Sequence, residues 1–207
     1  MTVIDTRPPL RASARERKKA STREALIDAA ERLFSRHGID GTTMDQIARE
    51  AGTSRTSVFN YFGYKEMILC EIGARHVATI EASIDRSRRR SARRTLEDMA
   101  DVIARLVAEE PAITAAVARE MTHPEPARRR EALRTMGYER IVDTVLQTLK
   151  ETGRLRDNRR LASYASMLVD MVTGAVVRAG GDYPVESLGD ELRRRIALFL
   201  DGALKPS

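Results

Sequence analysis

The stretch from Thr43 to Lys65, TMDQIAREAGTSRTSVFNYFGYK, most constrains what this chain can fold into. It reads as two short helices joined by a tight turn. Thr43 and Gln46 stand three apart, the spacing of a capping box in which each side chain satisfies the other residue's backbone amide. Met44, Ile47, Ala48 and Ala51 then recur at helical spacing, so this first helix buries one face. Gly52 follows where a helix end most often needs a left-handed residue. Ser54 is placed to cap the second helix, which Val58 and Phe62 anchor at i, i+4. At about 100° per residue, Thr56 and Asn60 point farthest from that anchor, flanked by Arg55, Ser57, Phe59 and Tyr61. A short helix with hydrogen-bonding side chains outward suits the DNA major groove, whose base edges offer donors and acceptors. The same spacing also fits a plain helical hairpin with a polar outer face, because this geometry serves other roles too.

Charge placement bears on that choice. The chain of 207 residues carries a formal charge of +6. Residues 1–19 hold six basic side chains (Arg7, Arg11, Arg15, Arg17, Lys18, Lys19) against Asp5 and Glu16, a net +4. With Pro8-Pro9 opposing an early helix, residues 1–20 read as an irregular basic arm. Arg15, Arg17, Lys18 and Lys19 would reach phosphates or the adjacent minor groove and gain affinity by counterion release.

Helical periodicity continues to the end, with no convincing strand or repeat, so the chain reads as all-α with about nine helices. Ser21 and Glu24 suggest a capping box opening a helix through about His37, with Leu26, Ala30, Leu33 and Phe34 inward and Gly38 ending it. Gly63-Tyr64 breaks the second short helix. Lys65 then begins a longer one to about Ser87, with Ile68, Ile72, His76 and Ile80 on one face. The arginine-rich run 86–94 reads as a solvated connection. Further helices are expected over 95–110, 112–122, 127–152, 158–179 and 185–204, separated at Pro111, His123–Pro126, Gly153 and Gly180–Pro184.

Catalytic and metal chemistry find no support. His37, His76 and His123 are scattered and, with Cys70, lack metal-ligand spacing, so no metal or cofactor is expected. There is no phosphate-binding Gly loop and no nucleophile motif, so the chain does not read as an enzyme. Cys70 is the one cysteine, which excludes an internal disulfide and reads as a small core residue rather than a redox sensor. No stretch approaches the ~20 apolar residues of a membrane span, and no signal-peptide core opens the chain. A cytoplasmic location with no membrane partner is expected.

In order, Ala29, Ala30, Leu33, Phe34, Gly38, Thr43, Ile47, Ala48, Ala51-Gly52, Ser54, Phe59, Tyr61-Phe62 and Lys65 carry a resemblance. Residues 21–69 resemble the DNA-binding domain of the TetR family of bacterial transcriptional regulators. Thr53 stands where the family usually has Val, and Phe59 where Tyr is commonest, so one phenolic hydroxyl that would touch a phosphate is missing. The resemblance implies a basic arm over 1–20 and a three-helix DNA-binding domain with a helix-turn-helix over 21–64. A helical effector-binding and dimerisation domain would occupy 65–207. It implies that Arg55, Thr56 and Asn60 read bases while Thr43, Tyr61 and Lys65 hold phosphates. It further implies a homodimer through the last two helices, with Leu168, Val172, Ala175, Leu192, Ile196 and Phe199 at the interface. An effector pocket is implied in the C-terminal domain, for which Met99, Met121, Met136, Tyr138 and Met167 would form an adaptable apolar lining. The function so implied is that of a sequence-specific regulator, a repressor released from a near-palindromic operator by a small molecule. The alternative is an effector-binding or scaffold protein that keeps the fold without specific DNA reading.

Overall fold

The computed structural model describes residues 13–87, 91–151, 161–179 and 184–204. Among them are ten α-helices and no strand. They are α1 (Ala14–His37), α2 (Met44–Glu50), α3 (Arg55–Phe62), α4 (Lys65–Ser87), α5 (Ala92–Glu109), α6 (Pro111–Met121), α7 (Pro126–Met136), α8 (Tyr138–Lys150), α9 (Leu161–Arg178) and α10 (Leu188–Ala203). A 3-10 turn, Val185–Ser187, leads into α10.

The helix boundaries follow local chemistry. The Thr43–Gln46 box caps α2, with Thr43 N–H donating to Gln46 Oε1 at 2.7 Å and Gln46 N–H to Thr43 Oγ1 at 3.2 Å. The Ser54 hydroxyl accepts from Ser57 N–H at 3.1 Å and caps α3. Between them Gly52 adopts φ +64°, as the turn requires.

Two boundaries differ from the sequence reading. Helix α1 begins at Ala14 rather than Ser21, because Ser13 and Glu16 form a capping box of their own. Arg15, Arg17, Lys18 and Lys19 therefore stand on the opening turns of α1, not in an irregular arm. Nothing but good helix formers separates the two Ser-x-x-Glu sites, so the earlier one prevails. The single helix expected over 127–152 is two helices, divided at Gly137 with φ +79°. Its amide donates to the Arg134 carbonyl at 3.2 Å, closing α7. Apolar periodicity runs on across this break through Leu133, Met136, Ile141 and Val145, which hides it in the sequence. This division accounts for ten helices instead of about nine. Residues 152–160, where the expected end of one helix and start of the next fall, lie outside the described residues, as do residues 1–12 of the arm.

Two apolar cores share α4. The first gathers Leu26, Ile27, Ala30 and Phe34 of α1, Ile47 of α2, Val58 and Phe62 of α3 and Ile68, Leu69, Cys70 and Ile72 of α4. Ile113 and Val117 of α6 and Met136 of α7 close it from the other side. The second core joins Val77 and Ile84 of α4 to the inner faces of α5, α8, α9 and α10. Ion pairs stitch α1 to α4 as well: Arg23 with Glu71, and Arg75 with Glu24, Asp28 and Glu31. Helix α9 is long and apolar enough by length and composition to cross a bilayer. Its Leu161, Ala165, Leu168, Val172 and Ala175 are nonetheless buried in the second core.

Placing Ala at Gly137 would force a left-handed backbone on an L residue at ~1–2 kcal/mol and set its Cβ against the Arg140 guanidinium. Gly137→Ala should therefore lower unfolding stability by about 1 kcal/mol, read as a lower urea midpoint at unchanged slope. An unaltered midpoint would show that the α7–α8 break does not depend on this residue.

Candidate nucleic-acid interface and inner cavity

Helix α3 is held at three points. Val58 and Phe62 are buried in the first core, Ser54 closes the N-terminus, and Gly63 with φ +65° ends the helix. Arg55, Thr56, Phe59 and Asn60 are left facing solvent. The Arg55 guanidinium is positioned: Nε and Nη1 each lie 3.1 Å from a carboxylate oxygen of Asp45 on α2, and the group sits 5.4 Å over the Phe59 ring. At 67% side-chain exposure this pair contributes little to stability. What it does is hold a five-donor fork outward on a rigid helix. Phe59 is 40% exposed, which is unusual for its type and explained here by the cation above it.

The residues expected on the phosphate side have work within the fold. The Lys65 ammonium donates to the Ile39 carbonyl at 2.8 Å and the Thr42 carbonyl at 3.4 Å, tying the α1–α2 turn to the start of α4. The Thr43 hydroxyl donates to Gln46 Oε1 at 3.0 Å within the capping box. Tyr61 is half-buried against Phe62. Arg15, Arg17, Lys18 and Lys19 are exposed on α1.

Between α4, α5, α6, α7, α8 and α9 lies a cavity of about 110 Å³ with an almost wholly apolar wall. Met99, Met121 and Met136 line it. Tyr138 and Met167 do not. The Tyr138 hydroxyl donates to Asp170 at 2.8 Å beside α9, and Met167 is 57% exposed on the outer side of α9. Sequence reasoning missed Gly73, His76, Thr114, Thr173 and the aliphatic residues between them. His76 carried the available signal, as a polar residue on an otherwise apolar face of α4. Burial lowers its pKa, favouring the neutral imidazole.

Most of the interface residues expected on α9 and α10 face inward. Leu168, Val172, Ala175, Leu192 and Ile196 are buried within the protomer, and Phe199 is half-buried against Tyr164. Periodicity identifies which residues share a face but not which face meets the chain's own core. The outward apolar residues are Met167 and Leu198, the latter 68% exposed, with Met171 partly so.

Cys70 is buried in the first core, as expected of a structural cysteine. Burial pushes its thiol up to about 12, with Glu120, Glu71 and Glu131 adding to the shift.

Comparison with known proteins places these features. Residues 26–72 match the profile of bacterial regulatory proteins of the tetR family, and residues 76–202 that of the C-terminal domain of TetR/AcrR family transcriptional repressors. The transcriptional regulator BetI of Agrobacterium fabrum is 49% identical over 49 residues, a match spanning 24% of this chain and 24% of BetI. The transcriptional repressor AcnR of Corynebacterium diphtheriae is 24% identical over 166 residues, 77% of this chain and 83% of AcnR. The crystal structure of Thermus thermophilus FadR, a TetR family transcriptional repressor in complex with lauroyl-CoA, superposes with a TM-score of 0.78. It is 28% identical, over 89% of this chain and 96% of FadR.

The burial of Cys70 has a direct consequence. A raised thiol pKa keeps the reactive thiolate scarce, so a disulfide reagent at pH 8 should label native protein far more slowly than urea-unfolded protein. Equal labelling rates would show that the first core opens around Cys70.

Proposed function

Because this chain belongs to the TetR family of bacterial transcriptional regulators, we propose that it binds a near-palindromic operator as a homodimer and represses until a small molecule enters its inner cavity. The observation that carries this reading is α3, whose exposed face presents a preset Arg55 beside Thr56 and Asn60. These three are assigned to base edges, and Thr43, Tyr61 and Lys65 to the phosphate side, with Arg15, Arg17, Lys18 and Lys19 approaching the backbone from α1. Dimerisation through the outer faces of α9 and α10 is supported by Met167 and Leu198, large apolar side chains that the protomer leaves uncovered. Two-fold symmetry would set two recognition helices ~34–36 Å apart, one DNA turn.

The effector belongs to the same reading. A cavity walled by methionines, valines and isoleucines suits a small apolar molecule, oriented by the few polar groups His76, Thr114 and Thr173. Lauroyl-CoA, the molecule in complex with Thermus FadR, has an aliphatic portion of this kind. Ligand entry would favour a conformer whose recognition helices no longer fit adjacent grooves, provided the ligand discriminates between the conformers.

Selection of binding sites from random duplex DNA, followed by affinity at two salt concentrations, tests the proposal. A two-fold-symmetric motif is expected; motif-free binding that vanishes with salt would overturn it. On the selected site, Arg55→Ala should cost ~1–3 kcal/mol and relax base preference at one position. Lys65→Ala should weaken all sequences alike and lower the salt slope by about one. A lower melting temperature with an unchanged slope would instead assign Lys65 wholly to bracing the α1–α2 turn.

A further inference from the structure

Three side chains from three separate elements converge where the DNA-reading unit meets the regulatory helices. Glu31 comes from the middle of α1, His76 from α4, and Glu110 from the junction of α5 with α6. One ligand atom from each lies within 4.8 Å of the other two, and all three residues are partly buried. Three donors at such separations have a common point within roughly 2.8 Å of each, so a shift of ~0.7 Å per side chain reaches ordinary Zn–N and Zn–O bond lengths.

From this convergence we propose that Glu31, His76 and Glu110 bind a divalent transition-metal ion of the Zn²⁺ class, fastening α1 to α4 and to the α5–α6 corner. One imidazole nitrogen and two carboxylate oxygens make a donor set that suits Zn²⁺ and its first-row neighbours better than Mg²⁺ or Ca²⁺, which take oxygen ligands throughout. Neither imidazole nitrogen of His76 hydrogen-bonds a group among the described residues.

The surroundings are consistent with a cation at that point. Glu31 and Glu110 bring two carboxylates together, a repulsion that a shared cation would remove. Arg75 is the competing positive group. It holds Glu31 Oε2 at 3.1 Å but divides itself between Glu24 and Asp28 too. The Ser35 hydroxyl donates to Glu110 Oε1 at 2.8 Å and would orient that carboxylate from outside the metal shell. His76 also lines the inner cavity, so the ion would stand behind the cavity wall and on the seam with α1.

The test uses full-length, tag-free protein with ZnCl₂, competed against a chromophoric chelator at pH 7.5, and CoCl₂ as a spectroscopic probe. One ion per chain with micromolar or tighter affinity is expected, together with visible Co²⁺ absorption bands of a low-coordinate nitrogen and oxygen site. Zn²⁺ should raise the melting temperature of the parent protein. Glu110→Gln and His76→Ala should each weaken binding by at least about tenfold and abolish the Zn²⁺-dependent rise in melting temperature. His37→Ala and His123→Ala should leave both unchanged, and metal-free melting curves of all four variants report whether each still folds. Absence of binding in the parent, binding that survives both site substitutions, or binding lost with His37 or His123 would overturn the proposal. None of these readouts involves DNA, so failure here leaves the operator-binding reading standing.

Discussion

Close approach of α4 to α6 and α7 is the constraint on which the rest of the structure depends. Gly73 makes it possible. A Cβ there would lie 2.8 Å from Val117 Cγ1 and 3.0 Å from Met136 Cγ and Sδ, distances at which the neighbours must move. Without a side chain at this crossing, α4 sinks between the two helices and contributes to both cores at once. Its N-terminal half packs with α1, α2 and α3, and its C-terminal half with α5, α8, α9 and α10. The same crossing leaves the cavity beside it, since Gly73, Val117 and Met136 all line that space. Packing is dense where the two cores meet and open one turn further on, where His76, Val77 and Ile80 face the void.

What the sequence makes legible is local. Capping pairs, left-handed glycines and the i, i+4 anchor of α3 need only residues within one turn of each other, and Thr43, Gly52, Ser54 and Gly63 act as their chemistry dictates. Competition between equivalent local signals is harder to resolve. Ser13–Glu16 and Ser21–Glu24 are the same motif, and which one starts α1 depends on how far the helix can extend toward the N-terminus. Gly137 falls inside an unbroken apolar period, so only the backbone angle reveals it.

Nonlocal placement is where periodicity is silent. Leu168, Val172, Leu192 and Ile196 do lie on apolar faces, and those faces meet each other within the protomer. Residues of comparable hydrophobicity, Met167 and Leu198, are the ones left outside. The cavity illustrates the same limit. It is a gap among six helices, and membership depends on crossing angles that no single helix encodes. Three methionines fall into it, whereas Tyr138 and Met167 miss it by facing Asp170 and solvent.

Any coupling between cavity and recognition helix would run through α4, which distributes its side chains between them. Gly73, His76, Val77 and Ile80 face the void, while Glu71 and Arg75 face α1 and hold it through Arg23, Glu24, Asp28 and Glu31. These positions alternate along one rigid helix at about 100° per residue, so a rotation or tilt of α4 moves both sets together. An effector that displaces Val77 and Ile80 would thus shift Arg75 and the three acids it holds, and with them α1. The more open ion pairs, Arg75 with Glu24 and Asp28, resist such a shift weakly, each being worth ~0–1 kcal/mol, whereas the part-buried Arg23–Glu71 pair and the apolar seam of Ile68, Leu69 and Ile72 resist it more strongly. The softer course is for α4 and the DNA-reading helices to move as one body, pivoting where α4 leaves the first core near Gly73. A ligand that fills the cavity in both orientations equally would bind without altering DNA affinity, so response to an effector requires the void to differ in shape between them.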